Sequence, residues 1–562
     1  MFPIGINNFP HMQILINLSI KRILLISALF LMVSGTSLAQ VFTRLDSIAG
    51  GINPGRDWWD LVYYHLMVEV QPDKKSISGT NEIHFRVLKT GEKMQLEMQD
   101  ALKITAVTFA DQVLNYTHKD NIIYLTFPET LKPGEFYLVQ VDYQGKPEKA
   151  KNPPWEAGFT WTKDSKGSPW IVSTSQGSGT SMWWPGKHHP YDEPDSMLIS
   201  VTVPKPFTAV ANGRLREKEV EDDKRTFHWF VSSPINNYAV NLNIGHYVHF
   251  SDIYAGEAGI ITCDYYVLPD NLDKAIQLFP REVPRMFRAF EYWFGPYPFY
   301  KDGYKLVEVP YAGMEHQSAV TYGNKYENGY LGRDLSNTNW GYTFDFIIIH
   351  ESGHEWFANS ITNADIADMW IHESFTTYAE NLFLDYHYGS LAASEYVIGT
   401  RENIRNDRPV QGPYGVNTSG SPDMYYKGAN ALHTLRSVVN NDTLWRQALR
   451  EMNRIFYHQT VNAADVVSFL SEYLNLELQS FFHQYFQDTR IPVFEYKTEE
   501  SRLQYRWTNI VEGFALPVEV YLNGSVQRLQ PQKEWKDHIH HTEINIIEVN
   551  KNWYVGSNEL AD

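Results

Sequence analysis

The sequence predicts a multidomain α+β protein: an N-terminal antiparallel β-sandwich or barrel, a mainly helical middle, and a small C-terminal β domain. Three observations carry this expectation. Apolar residues recur mostly at every second position from Trp58 to about Tyr254. The period becomes helical from about Leu268, and it returns to alternation from Pro492. The chain has 562 residues, and a prior of about 150 residues per domain suggests three or four domains. The expected segments are 1–39 as a leader, 40–254 as the first β domain, 255–490 as the helical domain and 491–562 as the second β domain.

Each element has its own warrant. Tyr64 to Val70 alternates, Gln71-Pro72-Asp73 turns the chain, and Ser76 to Val87 alternates again. Short strands between Pro, Gly and Asp turns indicate sandwiches or barrels. Leu272 to Trp293 is amphipathic and is stopped by Gly295-Pro296. Tyr304 to Val309 is the next expected strand, and helices are expected over 344–361, 371–388 and 427–440. The last strands fall near Phe494 to Lys497, Leu503 to Trp507, Pro517 to Leu522 and Ile544 to Val549.

Bulk properties narrow the partners. Apolar content is 43% and charged content 20%, as in globular proteins. A formal net charge of −18 argues against nucleic acid as a partner. Lys21-Arg22, the apolar run Ile23 to Val33 and the small-x-small Ser37-Leu38-Ala39 form a secretory signal pattern with cleavage before Gln40. Met12 is an alternative start. The run is short for a membrane span, so no stable span is expected after cleavage. Cys263 is the only cysteine, so an exported protein would hold together without disulfides. Periplasm or the exterior of a bacterial envelope is the expected location.

The chemistry is concentrated in His350-Glu351-Ser352-Gly353-His354 and in Glu373. Positions i and i+4 of a helix share a face, so His350 and His354 can present two imidazoles to one ion. Glu351 is rotated away from them and is free to act as a base. A catalytic zinc site takes three protein ligands and keeps one position open. Eighteen residues separate His354 from Glu373, enough to end one helix and begin another. The expectation is one Zn²⁺ per chain, held by His350, His354 and Glu373. Asp368 and Glu380 are candidates to orient the histidines from behind.

Further segments resemble the aminopeptidase N family of zinc metallopeptidases, of gluzincin type. Ala312-Gly313-Met314-Glu315-His316 is similar to its G-A-M-E-N loop, and Trp370 to Phe375 to its W-L-N-E-G-F segment. Tyr425-Tyr426-Lys427-Gly428-Ala429 is similar to its Y-E-K-G-A segment, and Gln176 with Pro185 and Asp192-Glu193-Pro194 to a stretch in its β domain. The resemblance implies a thermolysin-like catalytic domain and an enzyme that removes N-terminal residues from peptides; the signal pattern implies that it is exported. It implies Glu351 as general base and Tyr425 as hydrogen-bond donor to the oxyanion. Glu315 and Gln176 would bind the substrate's α-ammonium, with the backbone of Ala312 and Gly313 along the substrate. Departures occur at His316, His372, Ser374 and Gly186, where the family has Asn, Asn, Gly and Cys. Two other readings stay open: a catalytically dead peptide-binding relative, and a leukotriene-hydrolase-like epoxide hydrolase.

Overall fold

The computed structural model describes residues 42–176 and 179–560. The signal pattern over 1–39 lies outside the described residues. The chain divides into two compact units, Met1–Arg44 and Leu45–Asp562. Only residues 42–44 of the first are described, and the rest of the architecture belongs to the second.

The N-terminal part is rich in sheet. Its eight-stranded sheet is built around Trp59–Gln71 and Ser76–Val87, which pair antiparallel. Buried and half-buried positions alternate along both strands, so one face packs inward. One pairing departs from the antiparallel expectation. Trp59–Gln71 runs parallel to Ser196–Pro204, with Tyr63 opposite Ser196 and Glu69 opposite Thr202. Parallel neighbours need a long crossover, and here the chain passes through other strands before it returns. A four-stranded sheet holds Gly158–Lys163 and Pro169–Thr174, and Gln176 lies two residues beyond the second strand.

A five-stranded sheet bridges to the helical middle. It contains the hairpin Val248–Gly256 and Gly259–Val267, which lies across the expected boundary at 254, then Tyr304–Glu308, Val320–Tyr322 and the short strand Gly313–Met314. The principal helices of this part are Leu272–Phe294, Phe346–Gly353, Trp370–Tyr388 and Tyr426–Val439.

The metal-motif helix is shorter than expected. Asp345 caps it by accepting a hydrogen bond from the Ile348 amide at 3.1 Å, and the regular helix ends at Gly353. The chain then turns into a short strand, Ile361–Asn363, which pairs parallel with Gln459–Val461. That pairing draws the backbone out of the helix. His354 still has right-handed helical angles (φ −65°, ψ −16°), so the i, i+4 relation to His350 survives.

The C-terminal residues form a four-stranded and a three-stranded sheet. Their core is continuous with that of the helices: Phe494, Trp507 and Phe514 belong to the same buried cluster as Phe290, Trp356 and Trp370. The N-terminal sheets enclose a separate cluster. No helix among the described residues is long and apolar enough to cross a membrane.

Candidate active site

The metal motif opens on a cleft of about 1110 Å³, including space open to solvent. Helices form one wall and the Gly313–Met314 strand with its following loop forms the other. All the residues expected to act in the site line this cleft: His350, Glu351, His354, Glu373, Tyr425, Glu315, Gln176, Ala312 and Gly313.

Three donor atoms converge at its floor. The Nε2 atoms of His350 and His354 lie 3.7 Å and 3.4 Å from Glu373 Oε2. One ligand atom from each residue lies within 4.8 Å of the others. The remaining ring nitrogens are already engaged. His350 Nδ1 is 2.7 Å from Glu380 Oε1, and Glu380 Oε2 accepts from the Tyr396 hydroxyl at 2.6 Å. His354 Nδ1 is 3.0 Å from the Phe357 carbonyl oxygen and 3.1 Å from Thr376 Oγ1. This leaves both Nε2 lone pairs to face inward. Glu373 Oε2 is buried without a hydrogen-bond partner, an arrangement that is costly unless a cation completes it. Two imidazoles and a carboxylate around a dry position fit zinc.

One helix supplies most of this order. Glu373 sits in the first turn of Trp370–Tyr388, where the helix dipole favours a carboxylate. Thr376 and Glu380 follow at i+3 and i+7, on the same face. Glu380 therefore reaches His350. Asp368 does not reach either histidine. It lies in the turn before the helix, where it accepts from Trp370 Nε1, Gln411 Nε2, the Tyr414 hydroxyl and the Ala463 amide.

Electrostatics separate the buried carboxylates. Burial raises the Glu373 pKa, but the neighbouring His354 and His350 outweigh it and hold the group well below the usual carboxylate range. Glu351 is pushed up to about 8, chiefly by burial and against the pull of His350. Glu315 is also raised by burial, with His354 opposing. Ligand atoms of Glu315, Glu351 and His354 lie within 4.8 Å of one another. Tyr425 donates its hydroxyl hydrogen to Glu373 Oε1 at 2.8 Å.

The sheet wall is fitted closely to the metal helix. A Cβ at Gly313 would lie 2.5 Å from Ile347 Cγ2 and 3.2 Å from Glu351 Cγ, so glycine permits this approach. Asn359, at the end of the metal motif, donates from Nδ2 to the Glu315 carbonyl at 3.0 Å. Glu355 accepts from the Ser318 amide at 2.9 Å and from the Tyr297 hydroxyl at 2.8 Å. These contacts tie the Glu315 loop to the motif. Residue spacing alone does not single out Asn359, Glu355 or Thr376. The signal they carry is position: next to a ligand, or one turn beyond it.

Two departures from the family pattern turn out to be neutral, buried histidines. His316 is pushed down to about 3 by burial, with Nδ1 3.2 Å from Thr321 Oγ1. His372 is pushed down to about 3, accepts from the Asn363 amide at 2.8 Å, and stacks on the half-buried Tyr238 ring at 6.3 Å between centroids. Nothing in the local sequence marked Tyr238.

With this geometry in hand, residues 281–485 match the peptidase family M1 domain. That stretch, which carries the metal motif, is where the chain resembles peptidase family M1. It is 21% identical over 375 residues to a leucyl aminopeptidase of Saccharolobus solfataricus, covering 63% of this chain and 46% of that one. It is 23% identical over 466 residues to human aminopeptidase B, covering 74% and 66%. The chain thus spans about half to two thirds of the length of the curated relatives it matches. An M1 zinc metallopeptidase from Deinococcus radiodurans, solved with a Tyr-Ser-Ala substrate, superposes with a TM-score of 0.65 at 21% identity, covering 79% of this chain and 98% of that one. This last likeness concerns the fold.

Proposed function

We propose that this protein is an exported zinc aminopeptidase of family M1 that hydrolyses N-terminal residues from peptides, with a thermolysin-like middle domain as its catalytic part. The observation that carries the reading is the inward convergence of His350 Nε2, His354 Nε2 and Glu373 Oε2, with Glu351 and Glu315 buried beside them. The aminopeptidase names of the relatives and the tripeptide in the Deinococcus structure support peptides as substrates. When bound, zinc supplies a Lewis acid that polarises the scissile carbonyl and lowers the pKa of water.

The chain's own residues do the rest. Glu315 and Gln176 hold the α-ammonium, which is positively charged near neutrality. The backbone of Ala312 and Gly313 runs along the first residue. Glu351 takes a proton from the attacking water and delivers it to the leaving amine, and burial raises its affinity for that proton. Tyr425 turns its hydroxyl hydrogen from Glu373 to the carbonyl oxygen as negative charge develops there.

The test is a panel of aminoacyl fluorogenic substrates with and without an N-acetyl group. Free-amine substrates should turn over far faster than acetylated ones, which should keep only a residual rate. Chelation should abolish activity, and one equivalent of zinc should restore it. Equal rates on both substrate forms would remove the aminopeptidase reading. The basic, apolar and small-residue pattern over 21–39 supports export to the bacterial envelope. Protein recovered from the periplasm or medium should begin at Gln40; retention of residues 1–39 would count against cleavage.

A further inference from the structure

Tyr425 lies between two structures and belongs to neither. A short 3₁₀ turn, Pro422–Met424, precedes it, and the helix Tyr426–Val439 follows. Its own angles, φ −71° and ψ −80°, are not helical. Something outside the local chain must therefore fix the direction of its side chain. The hydroxyl end is held by Glu373. The backbone end is held by the next residue of the same helix: Ser374 Oγ donates to the Met424 carbonyl oxygen at 2.7 Å.

That carbonyl and the Tyr425 amide share one planar peptide unit. Holding the oxygen fixes the plane, and with it the line along which the tyrosine leaves the backbone. Ser374 is fully buried. The space for its hydroxyl is provided by Gly428. A Cβ at that position would lie 1.9 Å from Ser374 Oγ and 2.5 Å from Ser374 Cβ. Ser374 and Gly428 thus fit together as a latch between the helix of Glu373 and the loop of Tyr425. Ser374 stands where the resembled segment has glycine, which can offer no such bond.

We propose that Ser374 is a positioning residue for Tyr425, holding its backbone while the phenol moves from Glu373 to the substrate's carbonyl oxygen. The inference rests on the reading of Tyr425 as oxyanion donor.

Ser374→Ala in the zinc-loaded full chain is expected to lower kcat about fivefold, the scale of one hydrogen bond, with KM changed less than about twofold. Zinc content and melting temperature should stay near wild type. In a Tyr425→Phe background the same substitution should have almost no further effect, because the group it positions is gone. A phosphinic pseudopeptide, which mimics the tetrahedral state, should bind about fivefold more weakly to Ser374→Ala by calorimetry. Gly428→Ala should reproduce this pattern by displacing the serine; if that variant does not fold, the Ser374→Ala cycle decides alone. Equal losses in both backgrounds, a loss confined to KM, or no loss would overturn the proposal. If Tyr425→Phe itself turned over at the wild-type rate, the role of Tyr425 would fall, and this proposal with it.

Discussion

Glu373 on the helical wall and Glu315 on the sheet wall are buried to nearly the same degree, 2% and 4% exposed, yet they are held in opposite ways. Glu373 has a helix N-terminus behind it, a tyrosine hydroxyl on one oxygen and two imidazoles facing the other. Its pKa is driven down. For Glu315 burial outweighs the opposing pull of His354 and drives its pKa up. A carboxylate kept ionised inside a protein is a finished ligand. One whose charge is penalised by burial is completed by a cation from outside. On the proposed reading the helical wall carries the chemistry and the sheet wall waits for the substrate's ammonium.

The largest effect should come from the helical wall. Glu351→Gln removes the proton acceptor and leaves the three inward-facing donors in place. Turnover should fall by about 10³-fold or more, near the upper range for a positioned acid–base group. Zinc bound per chain, measured by atomic absorption, should not change. Activity near wild type would transfer the base to another residue and erase the division of labour between the walls. Tyr425→Phe should cost about 10²–10³-fold in kcat with little change in KM. A loss carried mainly by KM would place the tyrosine in substrate binding and blur the same division.

The two walls also differ in how far the sequence revealed them. The helical wall follows from short-range spacing. His350, Glu351 and His354 fall within one and a half turns, and Glu380 lies at i+7 from Glu373 on one helix face. The period of a helix converts those spacings directly into geometry. Asp368 failed by the same logic, because it precedes the helix and its carboxylate turns to Trp370, Gln411 and Tyr414. The sheet wall has no comparable rule. Glu315 meets the metal motif through Asn359 across 44 positions. Tyr238 reaches His372 across a still longer gap, and only a resemblance to known segments could point to Gln176. The parallel pairing of Trp59–Gln71 with Ser196–Pro204 is likewise a matter of topology. Alternation foretells a strand but does not name its neighbour.

Glu315→Ala tests the sheet wall. Free-amine substrates should lose about 10²-fold in kcat/KM, the scale for removing one partner of a buried charge pair. The residual rate on N-acetylated substrates should not move, since they bring no cation to the carboxylate. Equal losses on both would mean that Glu315 acts on the chemistry, and the contrast with Glu373 would collapse.

Gln176→Ala should have the smallest effect. A neutral amide offers the ammonium one hydrogen bond and no charge, so about tenfold in kcat/KM is expected, and only for free-amine substrates. Gln176 also lines a neighbouring cavity with Tyr238 and His372, so a packing role must be separated from a binding one. Gln176→Glu makes that separation. An added carboxylate next to Glu315 should strengthen binding of the ammonium and lower KM, whereas a side chain that only fills space would give equal losses for Ala and Glu. If both variants change acetylated and free-amine substrates alike, the ammonium is held by Glu315 alone, and the sheet wall contributes one selective group.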